Sequence, residues 1–126
     1  MKIFGIGIDI IEIKRIKNMN IFFRNKLAKK ILSKNEFKKY LLLKNCIKFL
    51  IKRFSVKEAC VKALGTGIIK NLSFKNFEIY NNKLGKPKIK FLKKNLNFYK
   101  KKNIKKSHIS ISHEKKYFCA IVILES

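Results

Sequence analysis

Two carboxylates in this chain are hard to account for as ordinary surface acids. Asp9, the only aspartate, lies in FGIGIDIIEI, and Glu58 lies in FSVKEACVKALGTGI between Lys57 and Lys62, in a sequence with 32 basic and 7 acidic side chains. If residues 3 to 13 form a strand, alternation places Phe4, Ile6, Ile8 and Ile10 on one face and Gly5, Gly7 and Asp9 on the other. Glycine inside a strand leaves room for another backbone or a ligand, so Asp9 faces a cleared space. On a helix turning roughly 100° per residue, Glu58 falls outside the polar arc of Lys48, Lys52, Ser55, Ala59 and Lys62 and points between Phe54 and Ile51. A carboxylate in an apolar sector is costly without a cation or hydrogen-bond donors.

Each acid has a local explanation. Ser55 to Glu58 matches the S-x-x-E capping box, but Ile47, Phe49, Leu50, Ile51 and Phe54 continue the helical pattern upstream without Pro or Gly, and a mid-helix residue caps nothing. Lys62, four residues on, is within pairing reach of Glu58. Asp9 at a strand end could accept backbone donors from the following turn. Taken together, two carboxylates withdrawn from the surface suit Mg²⁺, which takes one or two protein carboxylates and completes its shell with water and phosphate. His113, read alone, is an ordinary turn histidine.

The elements that must position these groups form an α+β pattern. A buried first strand over residues 3 to 13 precedes a polar helix from about Arg15 to Leu32; Ser33 and Glu36 then make a capping box for a further helix. The longest helix runs from about Ile47 to Leu64 and closes on Gly65. FEIY and KIKF flank NNKLGKP as a hairpin, a short helix covers Leu92 to Lys101, and HISIS and YFCAIVIL make a second hairpin around HEKK. No repeat, linker or boundary divides residues 1-126, which read as a single domain.

The net charge of +25 invites a small basic nucleic-acid-binding protein as the alternative. Arginine is scarce at 3 of the 32 basic residues, the lysines are scattered, and most Phe residues sit in apolar periodicity, all against it. Lys, Asn, Ile and Phe make up 72 of 126 residues and share A/T-rich codons, so much of the charge reflects composition. Cys46, Cys60 and Cys119 show no metal-ligand spacing and read as buried free thiols in a reducing compartment. With no secretory signal and no apolar run near the roughly 20 residues of a membrane span, a soluble cytoplasmic protein is expected, or an organellar-matrix one if a leader was removed.

Four blocks, GIGIDIIEIKRI (5 to 16), RFSVKEACVKALGTGI (53 to 68), GKPKI (85 to 89) and ISISHEKKYFCAIVI (109 to 123), give the chain a resemblance to the holo-acyl-carrier-protein synthases, small 4′-phosphopantetheinyl transferases. The resemblance implies that family's fold, an antiparallel sheet packed against a long helix. It implies transfer of the phosphopantetheine arm of coenzyme A to a serine of an apo-acyl carrier protein, the activation step of fatty acid biosynthesis, releasing adenosine 3′,5′-bisphosphate. By the same resemblance Asp9 and Glu58 hold Mg²⁺, Lys62 lies near the pyrophosphate, and His113 belongs to the site. Arg53, Gly65, Thr66 and Gly67 line the coenzyme A pocket. A homotrimer with active sites between subunits is implied, the carrier docking near Arg15, Met19, Lys26 and Lys30. A metal-associated water, Glu58 or Lys62 could take the serine proton.

Overall fold

The computed structural model describes residues 1–69 and 72–126. Strand β1 (Ile3–Glu12) leads into a short helix α1 (Ile13–Lys17), then α2 (Ile21–Ile31), α3 (Lys34–Leu42) and the 19-residue α4 (Cys46–Leu64). A 3-10 turn (Phe74–Asn76) precedes the hairpin β2 (Phe77–Asn81) and β3 (Pro87–Phe91). Helix α5 (Lys93–Lys101) and strands β4 (Lys106–His113) and β5 (Tyr117–Glu125) complete the chain. Two antiparallel sheets result, one ordered β1-β5-β4 and the other β2-β3, with α4 lying across the first. Among the described residues no helix is long and apolar enough to cross a membrane.

The glycines of β1 are what let α4 lie so close. A Cβ on Gly5 would come within 1.8 Å of the Ala63 carbonyl oxygen, and one on Gly7 within 1.8 Å of that of Ala59. The cleared space expected beside Asp9 is therefore filled by helix backbone along most of its length. This reverses part of the sequence reading: β1 is buried on its glycine side, while Ile6, Ile8 and Ile10 are 56%, 58% and 64% exposed. Phe4 leaves the isoleucine face, because an irregularity in the β1–β5 pairing between Ile3 and Gly5 breaks the alternation and packs its ring on the core.

The polar arc on α4 is also covered. Ser55 and Ala59 are fully buried beneath β1, leaving Lys48 and Lys52 at one end and Lys62 at the other. The helix expected from Arg15 to Leu32 is two helices, because the Asn20 side chain accepts from Phe23 N at 2.9 Å and starts α2 afresh. The capping box at Ser33 and Glu36, the Gly65 closure at φ 76° and both hairpins are present as expected. All three cysteines are free, but only Cys60 is buried; Cys46 and Cys119 are half-buried, at the start of α4 and on the outer face of β5.

The core has two parts. One lies between α4, the hairpins and α5, with Phe77, Val122 and Leu124 at its centre; the other lies under α1 to α3, around Ile16, Ile31 and Leu50. Where the two meet, Lys57 is completely buried. Its ammonium donates to Glu36 Oε1 at 2.5 Å and to the Ile31 carbonyl at 2.9 Å. Glu36 also accepts from Ser33 N and Ile79 N. Burial pushes the Lys57 amine below the ordinary lysine range, and the Glu36 carboxylate opposes the shift.

Candidate active site

Asp9 and Glu58 come together because β1 lies along α4 with no side chain between their backbones. Asp9 is on the helix-facing side of β1, opposite Ala120 of β5, where β1, having passed Ala63 and Ala59, reaches Ser55 at the middle of α4. Its side chain is only 12% exposed. Lys62 Nζ lies 3.3 Å from Asp9 Oδ1 and donates to the Ile8 carbonyl at 3.0 Å, while Ser55 Oγ reaches Asp9 Oδ2 at 3.5 Å. Lys62 therefore pairs with Asp9 across the strand rather than with Glu58 one turn back on its own helix.

Glu58 sits between Ser55 and Lys62 on successive turns of α4. Burial pushes its carboxyl above the usual glutamate range, the Asp9 carboxylate adds to the push, and Lys62 and Arg15 act against it. Two acids thus repel one another in a half-buried place where the nearby cations do not fully compensate. The donor set fits a hard divalent cation bound by carboxylate oxygens with open positions left for water and phosphate. Among the described residues no group of three or more His, Cys, Asp or Glu side chains forms a fuller metal cage.

The other residues singled out in the sequence divide clearly. Gly65, Thr66 and Gly67 follow the end of α4 at Leu64, three residues after Lys62, as an exposed loop. Gly65 and Gly67 have φ values of 76° and 65°, a conformation that favours glycine, and open space surrounds the position a Cβ would take. Backbone there is free for a ligand to approach. Arg15 of α1 is within electrostatic reach of Glu58, which places a residue expected for docking beside the acids.

Two residues do not join this cluster within one chain. The Arg53 guanidinium lies 3.6 Å from the Phe49 ring centroid with Nε 3.8 Å from Glu36 Oε2, and its side chain is 12% exposed. It packs against α3, away from Asp9 of the same chain. His113, opposite Phe118 on β5, stands two strands away from β1 and stacks on the Phe118 ring at 5.6 Å. It borders two adjoining hollows of about 320 and 550 Å³; Lys48 borders both, with Lys17 beside the first and Lys52 and Lys86 beside the second.

Sequence reasoning missed two features. Ser55 reads from the sequence as a cap or as part of the polar arc, yet it is a buried donor to Asp9; its position three residues before Glu58 is the signal. The Glu36–Lys57 pair spans 21 residues and leaves no local pattern.

Of the expected docking residues, Lys26 and Lys30 are exposed on α2, Arg15 is exposed on α1, and Met19 is half-buried against the second core cluster.

The model of the 4′-phosphopantetheinyl transferase superfamily matches residues 5–122. A holo-[acyl-carrier-protein] synthase of Buchnera aphidicola from Schizaphis graminum is 57% identical over 125 residues, covering 99% of both chains. The crystal structure of the Neisseria meningitidis holo-[acyl-carrier-protein] synthase superposes with a TM-score of 0.92 at 34% identity, covering 99% of this chain and all of that one. The synthase of Bacillus anthracis, in complex with coenzyme A (3′,5′-ADP), gives 0.79 at 39% identity over 98% and 97% of the two chains.

Proposed function

The chain belongs to the 4′-phosphopantetheinyl transferase superfamily, and on that footing we propose that it transfers the phosphopantetheine arm of coenzyme A to a serine of an apo-acyl carrier protein, releasing adenosine 3′,5′-bisphosphate. The observation that carries this reading is the Asp9–Glu58 pair, with Lys62 held beside it and the open Gly65–Gly67 backbone next in line. The nucleic-acid alternative finds no support among the matched proteins.

The chemistry asks for charge to be neutralised on phosphate oxygens and for two reactants to be held in line, with no covalent enzyme intermediate. Mg²⁺ bound by Asp9 and Glu58 would neutralise pyrophosphate charge and orient its oxygens. Lys62 is oriented in advance by Asp9 and the Ile8 carbonyl, so its ammonium stands ready for phosphate without a search through rotamers. Ser55, buried behind Asp9, steadies the second carboxylate oxygen. Glycines at positions 65 and 67 allow phosphate close to the backbone.

A homotrimer with sites between subunits agrees with two features. Ile6, Ile8 and Ile10 form an exposed apolar row on the sheet face opposite α4, beside the half-buried Ile121 and Ile123. His113 and the lysine-lined hollows stand on β4, two strands from β1, and a neighbouring subunit would bring such a surface to the Asp9 of another chain. The carrier would dock on α1 and α2 around Arg15, Met19, Lys26 and Lys30, where a basic surface speeds encounter with an acidic protein and makes it salt-sensitive. The single domain 1-126 and a cytoplasmic setting, in which the three thiols stay reduced, complete the reading.

Incubation with coenzyme A, Mg²⁺ and an apo-acyl carrier protein, followed by mass spectrometry of the carrier, tests the activity. The phosphopantetheine adduct is expected; its absence with both Mg²⁺ and Mn²⁺ and a carrier from the same cell would overturn the proposal. For the assembly, sedimentation should show a trimer that Ile8→Lys disperses.

A further inference from the structure

The buried ion pair at Lys57 joins more elements than stability alone requires. Three helices and a strand meet on two side chains. Ile31 is the last residue of α2, so its carbonyl is one of those a helix end leaves without a partner, and the Lys57 ammonium supplies that partner at 2.9 Å. Glu36 is the third residue of α3; its carboxylate accepts Ser33 N there and Ile79 N of β2, while Ser33 Oγ accepts Glu36 N and donates to Glu78. Lys57 itself is on α4, one residue before Glu58. A wholly apolar junction could hold these elements together, and apolar replacements of buried ion pairs are often as stable. What an ion pair adds is direction: a positive charge fixes the end of α2 at one point on α4.

We propose that Lys57 is a positioning residue for the transfer reaction: bonded at once to the end of α2 and to Glu36, it sets the carrier-docking helix at a fixed height against the helix that bears Glu58. This rests on the proposed docking of the carrier along α2. Lys26 and Lys30 project from the final turns of the helix that Lys57 tethers, so a slip of that end displaces the docked carrier and its serine relative to Asp9 and Glu58. Coenzyme A, which would meet Lys62 and the Gly65–Gly67 loop beyond the other end of the same segment, does not depend on α2.

The test removes both charges together, with Glu36→Gln/Lys57→Met, so that neither member of the pair is left charged without the other, while Arg53, 3.8 Å from Glu36 Oε2, keeps its stacking on Phe49. The KM for apo-carrier should rise about tenfold, as for elements coupled through one tether, while the KM for coenzyme A stays within about twofold. Amide hydrogen exchange at residues 28–32 should quicken, and exchange around Glu58 should not. Both KM values moving together, or neither moving, would overturn the proposal, as would unchanged exchange at the end of α2. If the double variant does not fold, Ser33→Ala decides. That milder cut should raise the carrier KM about threefold and leave that of coenzyme A alone, and equal effects on the two would overturn the positioning role. Should wild-type protein transfer nothing, the function falls, while the exchange measurement still judges the tether.

Discussion

Helix α4 carries two arrangements of acid and lysine, and they differ in what closes them. Around Lys57 the chain satisfies itself: Glu36 receives Lys57, Ser33 N and Ile79 N, and both members of the pair are at most 3% exposed. Around Glu58, the next residue, the chain stops short. Asp9 has Lys62 and Ser55, but among the described residues Glu58 has no comparable partner, and its raised pKa records burial and a neighbouring like charge. A buried pair complete in itself is architecture; a half-buried pair of acids that only an outside cation would complete is a site. The same residue types, one position apart on one helix, are sorted by what remains uncompensated.

The largest expected difference between the two is in catalysis. Glu58→Gln should lower the transfer rate by roughly a thousandfold, the scale on which a charge-stabilising group acts, with circular dichroism unchanged. Next comes stability, with the roles reversed. Lys57→Met strands Glu36 in the core and should cost about 3 to 5 kcal/mol in urea unfolding, even though it touches no substrate. Gly7→Ala tests what brings the acids together: its Cβ would strike the Ala59 carbonyl, forcing β1 off α4 at a cost of about 3 kcal/mol or more.

The smallest expected effect is in pH dependence. Because the Glu58 pKa is raised on folding, its protonated form contributes stability that is fully present below the unfolded-state value and is lost as pH rises through the higher folded value. In metal-free protein, Glu58→Gln should therefore raise the melting temperature slightly at neutral pH and leave it unchanged well below the glutamate range. A fall at neutral pH instead would mean that Glu58 is closed like Glu36.

Much of this was legible in the sequence where one element decides the matter. Ser33 and Glu36, Gly65 at the end of α4 and the hairpin around NNKLGKP announce themselves locally, and Gly5 and Gly7 mark a close approach. What failed depended on partners distant in sequence. The isoleucine row of β1 reads as core in any strand, yet it faces outward, because α4 packs on the glycines. The arc of Ser55 and Ala59 reads as polar until β1 covers it. The pairing of Glu36 with Lys57 and the packing of Arg53 beside it emerge only once α3 and α4 lie side by side.

One measurement bears on the open pair most directly: the transfer rate at saturating coenzyme A and apo-carrier, followed by mass spectrometry as Mg²⁺ is titrated, in wild-type and Glu58→Gln protein. The account predicts a saturable rise from a negligible rate in wild-type protein and no appreciable rise at any Mg²⁺ concentration in the variant. Transfer that persists in EDTA, or a variant that follows the wild-type curve, would contradict it.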